Sequence, residues 1–120
     1  MVVPMEQRKD TRFPVEFRSS FSSANVVAGD GTLNDLSIRG CRVFSLIDMK
    51  PGTILQLRIH ASGDEPPIQI SQSVVRWCRA GSFGCEFVNL SPDEWARLHH
   101  VIKALELEPY KRAQEDTHVA

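Results

Sequence analysis

The sequence predicts an all-β domain: a six-stranded antiparallel β-barrel with a C-terminal α-helix. Three observations carry that reading. Apolar residues recur at alternate positions in short runs between Val15 and Phe87, which is the period of half-buried strands. Turn chemistry separates the runs at Gly29-Asp30-Gly31, Pro51-Gly52 and Ala80-Gly81-Ser82. From Ser91 onward the period lengthens to three and four, as in a helix with one apolar stripe. A sheet curled on itself, with the helix over an open end, would remove the exposed edges that invite aggregation. On periodicity alone a two-sheet sandwich fits nearly as well.

Residues 1–12 are polar and aperiodic and read as a flexible arm, residues 13–107 as the barrel with its helix, and residues 108–120 as a polar tail. After Pro14, Val15, Phe17 and Phe21 share one face of a first strand, with Glu16, Arg18 and Ser20 on the other. A second strand spans about Thr32 to Ser37. Cys41-Arg42-Val43-Phe44 returns antiparallel to it, making a hairpin with its corner near Gly40. In the next strand Leu55, Leu57 and Ile59 alternate with Gln56, Arg58 and His60. Ile68 to Arg79 is longer, and its apolar parity drifts from Ile68, Ile70 and Val74 to Val75 and Trp77. A bulge near Val74 accounts for the drift. Phe83, Cys85 and Phe87 fill one face of the sixth strand. Ser91-Pro92-Asp93-Glu94 combines an N-cap serine, a first-turn proline and a glutamate at the third helical position, so a helix starts there. Its stripe is Trp95, Leu98, Ile102 and Leu105, and Pro109 ends it.

With 120 residues the chain holds one domain large enough to bury a core without disulfides or metals. Hydrophobic residues at 42% and charged residues at 24% are globular values. A formal net charge of -1 argues against a broad basic surface for nucleic acid or an anionic membrane, so any anion site must be local. Cys41, Cys78 and Cys85 are odd in number, and Met1-Val2-Val3-Pro4 lacks the apolar stretch of a secretory signal. The expected compartment is the cytoplasm, with reduced thiols. No apolar run approaches the roughly 20 residues that cross a bilayer, so no membrane insertion is expected.

The motif of interest is Asp35-Leu36-Ser37-Ile38-Arg39-Gly40. On a strand Asp35 and Ser37 would point one way and Leu36 and Ile38 the other, with Gly40 free to bulge, turn left-handed or admit a ligand against the backbone. Upstream, Arg8 and Arg12 stand four residues apart. Arg-x-x-x-Arg followed some twenty residues later by Asp-x-Ser-x-x-Gly, then by Gly84-Cys85-Glu86-Phe87 and a closing helix, resembles the PilZ domain over about residues 6 to 106. That family comprises bacterial receptors for the second messenger cyclic di-GMP (c-di-GMP). The resemblance implies a six-stranded barrel with a c-di-GMP site at the junction of arm and barrel. It carries Arg8 and Arg12 over as a clamp on a guanine edge or phosphate, Asp35 as acceptor from a guanine, Ser37 as a partner for base or phosphate, and Gly40 as the point of close approach. Lys9, Arg39 and Arg42 would balance phosphates, and Trp77 is either a stacking platform or core. Whether one ligand or a stacked pair binds is left open.

Each residue also has an ordinary use. The terminal arginines could be solvated charges, Asp35 a turn former and Ser37 a bystander. His99 and His100 diverge by about 100° on the helix and cannot share a metal, and the cysteines lack zinc-site spacing. No nucleophile has a partnered base and no phosphate loop appears, so an enzyme is not expected and no cofactor is implied. The expected function is a c-di-GMP receptor whose arm orders on binding and signals to an effector protein. The alternatives are a PilZ-like interaction adaptor with little nucleotide affinity, of the pilus or motility type, and a small barrel for single-stranded nucleic acid.

Overall fold

Alternating side chains in six runs close a sheet on itself. β1 (Phe13–Ser22), β2 (Ala28–Leu36), β3 (Gly40–Phe44), β4 (Ile54–His60), β5 (Ile68–Arg79) and β6 (Ser82–Phe87) precede one helix, α1 (Pro92–His118). The computed structural model describes residues 11–24 and 28–118, the last ten of these by backbone alone. All strand pairs are antiparallel, in the closed order β1-β2-β3-β6-β5-β4, which decides for the barrel over the sandwich. One side chain in two points inward, and Phe21, Leu33, Val43, Leu57, Ile59, Ile70, Val75 and Phe83 are buried together. Phe21 and Phe83 meet edge to face, their centroids 5.2 Å apart. At the turns, Gly52 (φ 95°) and Gly81 (φ 84°) are left-handed, as those sequences predict.

β5 is bent twice. Its ladder with β4 slips between the partners of Leu55 and Leu57, and its ladder with β6 slips between Val75 and Trp77. Inward positions therefore step from Ile70 to Ser73, from Ser73 to Val75, and from Val75 to the half-buried Cys78. The two bulges flank Val74, where parity predicts one. The second bears on the alternative left open for Trp77: instead of following Val75 inward into the core it is turned to the outside, 36% exposed.

The helix starts as its sequence predicts. The Glu94 amide donates to Ser91 Oγ (3.2 Å), the Ser91 amide donates to Glu94 Oε1 (3.4 Å), and Ser71 Oγ on β5 also bonds the Glu94 carboxylate. Arg97 donates to the Pro66 and Pro67 carbonyls, tying α1 to the loop before β5. Leu98 and Ile102 enter the core, with Leu105 packed against it, but Trp95 does not complete the stripe. It is 47% exposed and stacks on His99 with centroids 4.6 Å apart. The helix also continues past Pro109 to His118. Proline removes one ladder bond, but Lys111, Arg112, Ala113 and Gln114 beyond it are strong helix formers and continue the turn.

Candidate functional site

The β2–β3 corner is built by one serine. β2 ends at Leu36, so the alternation that would set Ser37 beside Asp35 stops there, and Ser37 is fully buried at the corner, beneath the cavity surface. Its amide donates to the Gly40 carbonyl (2.9 Å), while its hydroxyl accepts from the amides of Arg39 (3.1 Å) and Gly40 (3.2 Å) and donates to the Gly40 carbonyl (3.4 Å). In place of the free hydroxyl expected from the sequence, Ser37 offers a fastener for the corner. Ser37→Ala would leave two backbone donors without that partner, and an unfolding free energy lower by about 1–3 kcal/mol is expected in a denaturant titration. Gly40 is not left-handed. It sits where a Cβ would lie 2.2 Å from the Cys85 carbonyl oxygen, so close β3–β6 packing, and not a turn, requires glycine there.

Arg12, Asp35, Ser37, Arg39, Gly40, Arg42 and Trp77, seven of the nine residues singled out by sequence, line one cavity of about 440 Å³ on the outside of the barrel. That volume is in the range of small-molecule clefts. Arg8 and Lys9 lie outside the described residues. Just before β1, Arg12 Nη1 donates to Asp35 Oδ1 at 2.9 Å, the side chains being 53% and 22% exposed. The arm residue and the motif carboxylate are thus in direct contact. Arg42, opposite Asp35 on β3, gives its Nε to Asn34 Oδ1 (3.1 Å).

The far side of the cavity belongs to β5 and β6. Trp77 pairs with Gly84 and lies over it: a Cβ at 84 would be 2.2 Å from the indole Nε1. The Arg79 guanidinium stands 5.6 Å from the ring centroid. Beside them Arg76 Nε donates to Glu86 Oε1 at 2.7 Å. Sequence reasoning passes over Arg76, Gly84 and Glu86 as lining residues. Gly84 facing an aromatic across a hairpin was the available signal. Under the floor Cys41 faces Cys85 across the β3–β6 ladder. The hydrogen bond they share, together with burial, pushes the Cys41 thiol well above its usual range, while the same bond, with one to Ser73, draws Cys85 down against the effect of burial. Among the described residues no group of three or more His, Cys, Asp and Glu side chains is placed to hold a metal ion, and no helix is long and apolar enough to cross a membrane.

Chemically, the cavity offers arginine forks and carboxylates around an exposed aromatic face, a set suited to a planar base with donors on one edge and acceptors on another. A sequence profile described as PilZ domain matches residues 6–104. No curated protein sequence matches the chain significantly. Among solved structures, the crystal structure of YcgR in complex with c-di-GMP from Escherichia coli is 19% identical with a TM-score of 0.75, the match covering 91% of this chain and 50% of that one. The PilZ domain with c-di-GMP of YcgR from Escherichia coli is 15% identical with a TM-score of 0.71, covering 90% of this chain and 98% of that one. The PilZ domain of CeSA from a cellulose-synthesizing bacterium is 15% identical with a TM-score of 0.66, covering 80% and 98%. At these identities the likeness is one of fold. The chain spans about half the length of YcgR.

Proposed function

The chain belongs to the PilZ domain family, and from that premise we propose that it is a cytoplasmic receptor module for c-di-GMP that reports the bound state to an effector protein. The observation that carries the reading is the contact of Arg12 with Asp35 at the mouth of the cavity. It brings together two motifs that lie 23 positions apart in sequence. Asp35 Oδ1 already accepts from Arg12, which leaves Oδ2 and further lone pairs for the N1–H and N2–H donors of a guanine. The Arg12 fork has unused N–H groups for O6 and N7 of the same or a neighbouring base, or for a phosphate. Arg39 and Arg42 line the cavity where phosphate charge needs balancing. Arg8 and Lys9 would close over the ligand from the arm. An extended step from Arg8 to Arg12 spans about 13 Å, enough to cross a nucleotide. Ordering the arm costs conformational entropy, which charge-assisted hydrogen bonds offset, and the altered arm and ligand surface is what a partner would read. No catalytic step is assigned.

Titration calorimetry with c-di-GMP, GMP and a short oligonucleotide tests the reading. Saturable binding of the cyclic dinucleotide, lost in Arg12→Ala and Asp35→Ala, is the expected result. A folded protein silent toward all three would point to the adaptor, and oligonucleotide binding with a steep salt slope to the nucleic-acid barrel. A further expectation concerns Trp77. Gly84→Ala pushes the indole off its seat, so ligand affinity should fall by about tenfold, within the 1–3 kcal/mol that base stacking contributes, with the melting temperature nearly unchanged.

A further inference from the structure

The strand registers set a row of outward residues across the wall: Asp35 opposite Arg42, Arg42 opposite Gly84, and Gly84 opposite Trp77. With strands about 4.8 Å apart, the two ends of this row stand about 14 Å from each other. Each end pairs a guanidinium with a carboxylate: Arg12 with Asp35 at one, Arg76 with Glu86 at the other, and both pairs line the same cavity. We propose that Glu86, with Arg76 and Trp77, forms a second guanine subsite, so that a single c-di-GMP lies across the wall with one base at each end. The inference rests on the receptor reading above and adds to it the place of the second base and a ligand count of one.

Guanine presents O6, N1–H and N2–H side by side as acceptor, donor and donor. A guanidinium next to a carboxylate is the complement of that order, and Arg76 beside Glu86 supplies it. One Glu86 oxygen takes Arg76 Nε and the other is available to the base, the side chain being 39% exposed. As a surface ion pair alone this contact would contribute little to stability. Its position beside an outward tryptophan gives it a use: the β5 bulge and the missing side chain at Gly84 together hold the Trp77 face at the cavity edge, where a base can stack. Arg42 lies midway along the row. Its Nε is given to Asn34, and the residue lines the cavity at the point in the row that a ribose–phosphate ring would cross.

The test is calorimetry with c-di-GMP and with 3′,3′-cyclic GMP–AMP, in which one guanine is replaced by a base lacking the N1–H and N2–H donors. Wild-type protein should bind one c-di-GMP per chain and prefer it by at least about tenfold. Glu86→Gln should weaken c-di-GMP about tenfold, leave cyclic GMP–AMP within about twofold and so erase most of the preference, because an amide serves either base. Arg12→Ala should weaken both ligands. An unchanged preference in Glu86→Gln, or two ligands per chain, overturns the second subsite while the receptor reading stands. Failure of wild-type protein to bind c-di-GMP overturns both.

Discussion

Replacing Arg12 with alanine is expected to weaken c-di-GMP binding about a hundredfold, the upper range for a bidentate contact to a base edge. The melting temperature should move by no more than a few degrees. The two expectations separate because the Arg12–Asp35 pair does little for the fold. Its members are 53% and 22% exposed, and ion pairs so open to solvent contribute at most about 1 kcal/mol. Binding is different. A ligand covers the pair, and the Asp35 carboxylate left without its guanidinium must then be desolvated alone. Asp35→Ala should fail in the same way, since it leaves Arg12 without its acceptor and the base without its own. Arg12→Lys should not restore affinity, because an ammonium group cannot reproduce the planar fork. Calorimetry and a thermal melt on the same samples make the comparison. Wild-type affinity in Arg12→Ala would mean that the arm takes no part in the site.

Much of this molecule is legible in sequence because a barrel leaves a simple period. Leu55, Leu57 and Ile59 alternate with polar residues and are buried in that order, and Ser91 with Glu94 announces the helix start through local hydrogen bonds alone. What escapes depends on partners distant in sequence or on broken periods. Trp77 carries inward parity and lies outside because a bulge intervenes, and a bulge belongs to the ladder with β6, not to the residues of β5 alone. Ser37 follows the strand rule on paper, but β2 stops one residue earlier, and the hydroxyl closes the corner instead. Arg76 and Glu86 escape as cavity residues, since nothing in one sequence says that two outward charges on neighbouring strands share a cavity with a third strand's aspartate. Pro109 misleads in the opposite direction, as a single proline does not outweigh helix formers on both sides.

Gly40→Ala distinguishes two accounts of the same glycine. The motif suggests that a ligand lies against its backbone, which predicts weaker binding in an otherwise intact barrel. The structure places its missing side chain elsewhere. A Cβ would stand 2.2 Å from the Cys85 carbonyl oxygen and 3.3 Å from Glu86 Cα, both backbone atoms that cannot rotate away. The β3–β6 ladder would have to part at Gly40 and Glu86, next to the buried Cys41 and Cys85. Overpacking of this kind costs about 3 kcal/mol, and in a domain of this size the melting temperature should drop by about 10 °C without any ligand present. Loss of c-di-GMP affinity should accompany that drop, because Gly40 and Glu86 line the cavity and move together with the ladder. A variant that melts like wild type and merely binds less tightly would return Gly40 to the ligand.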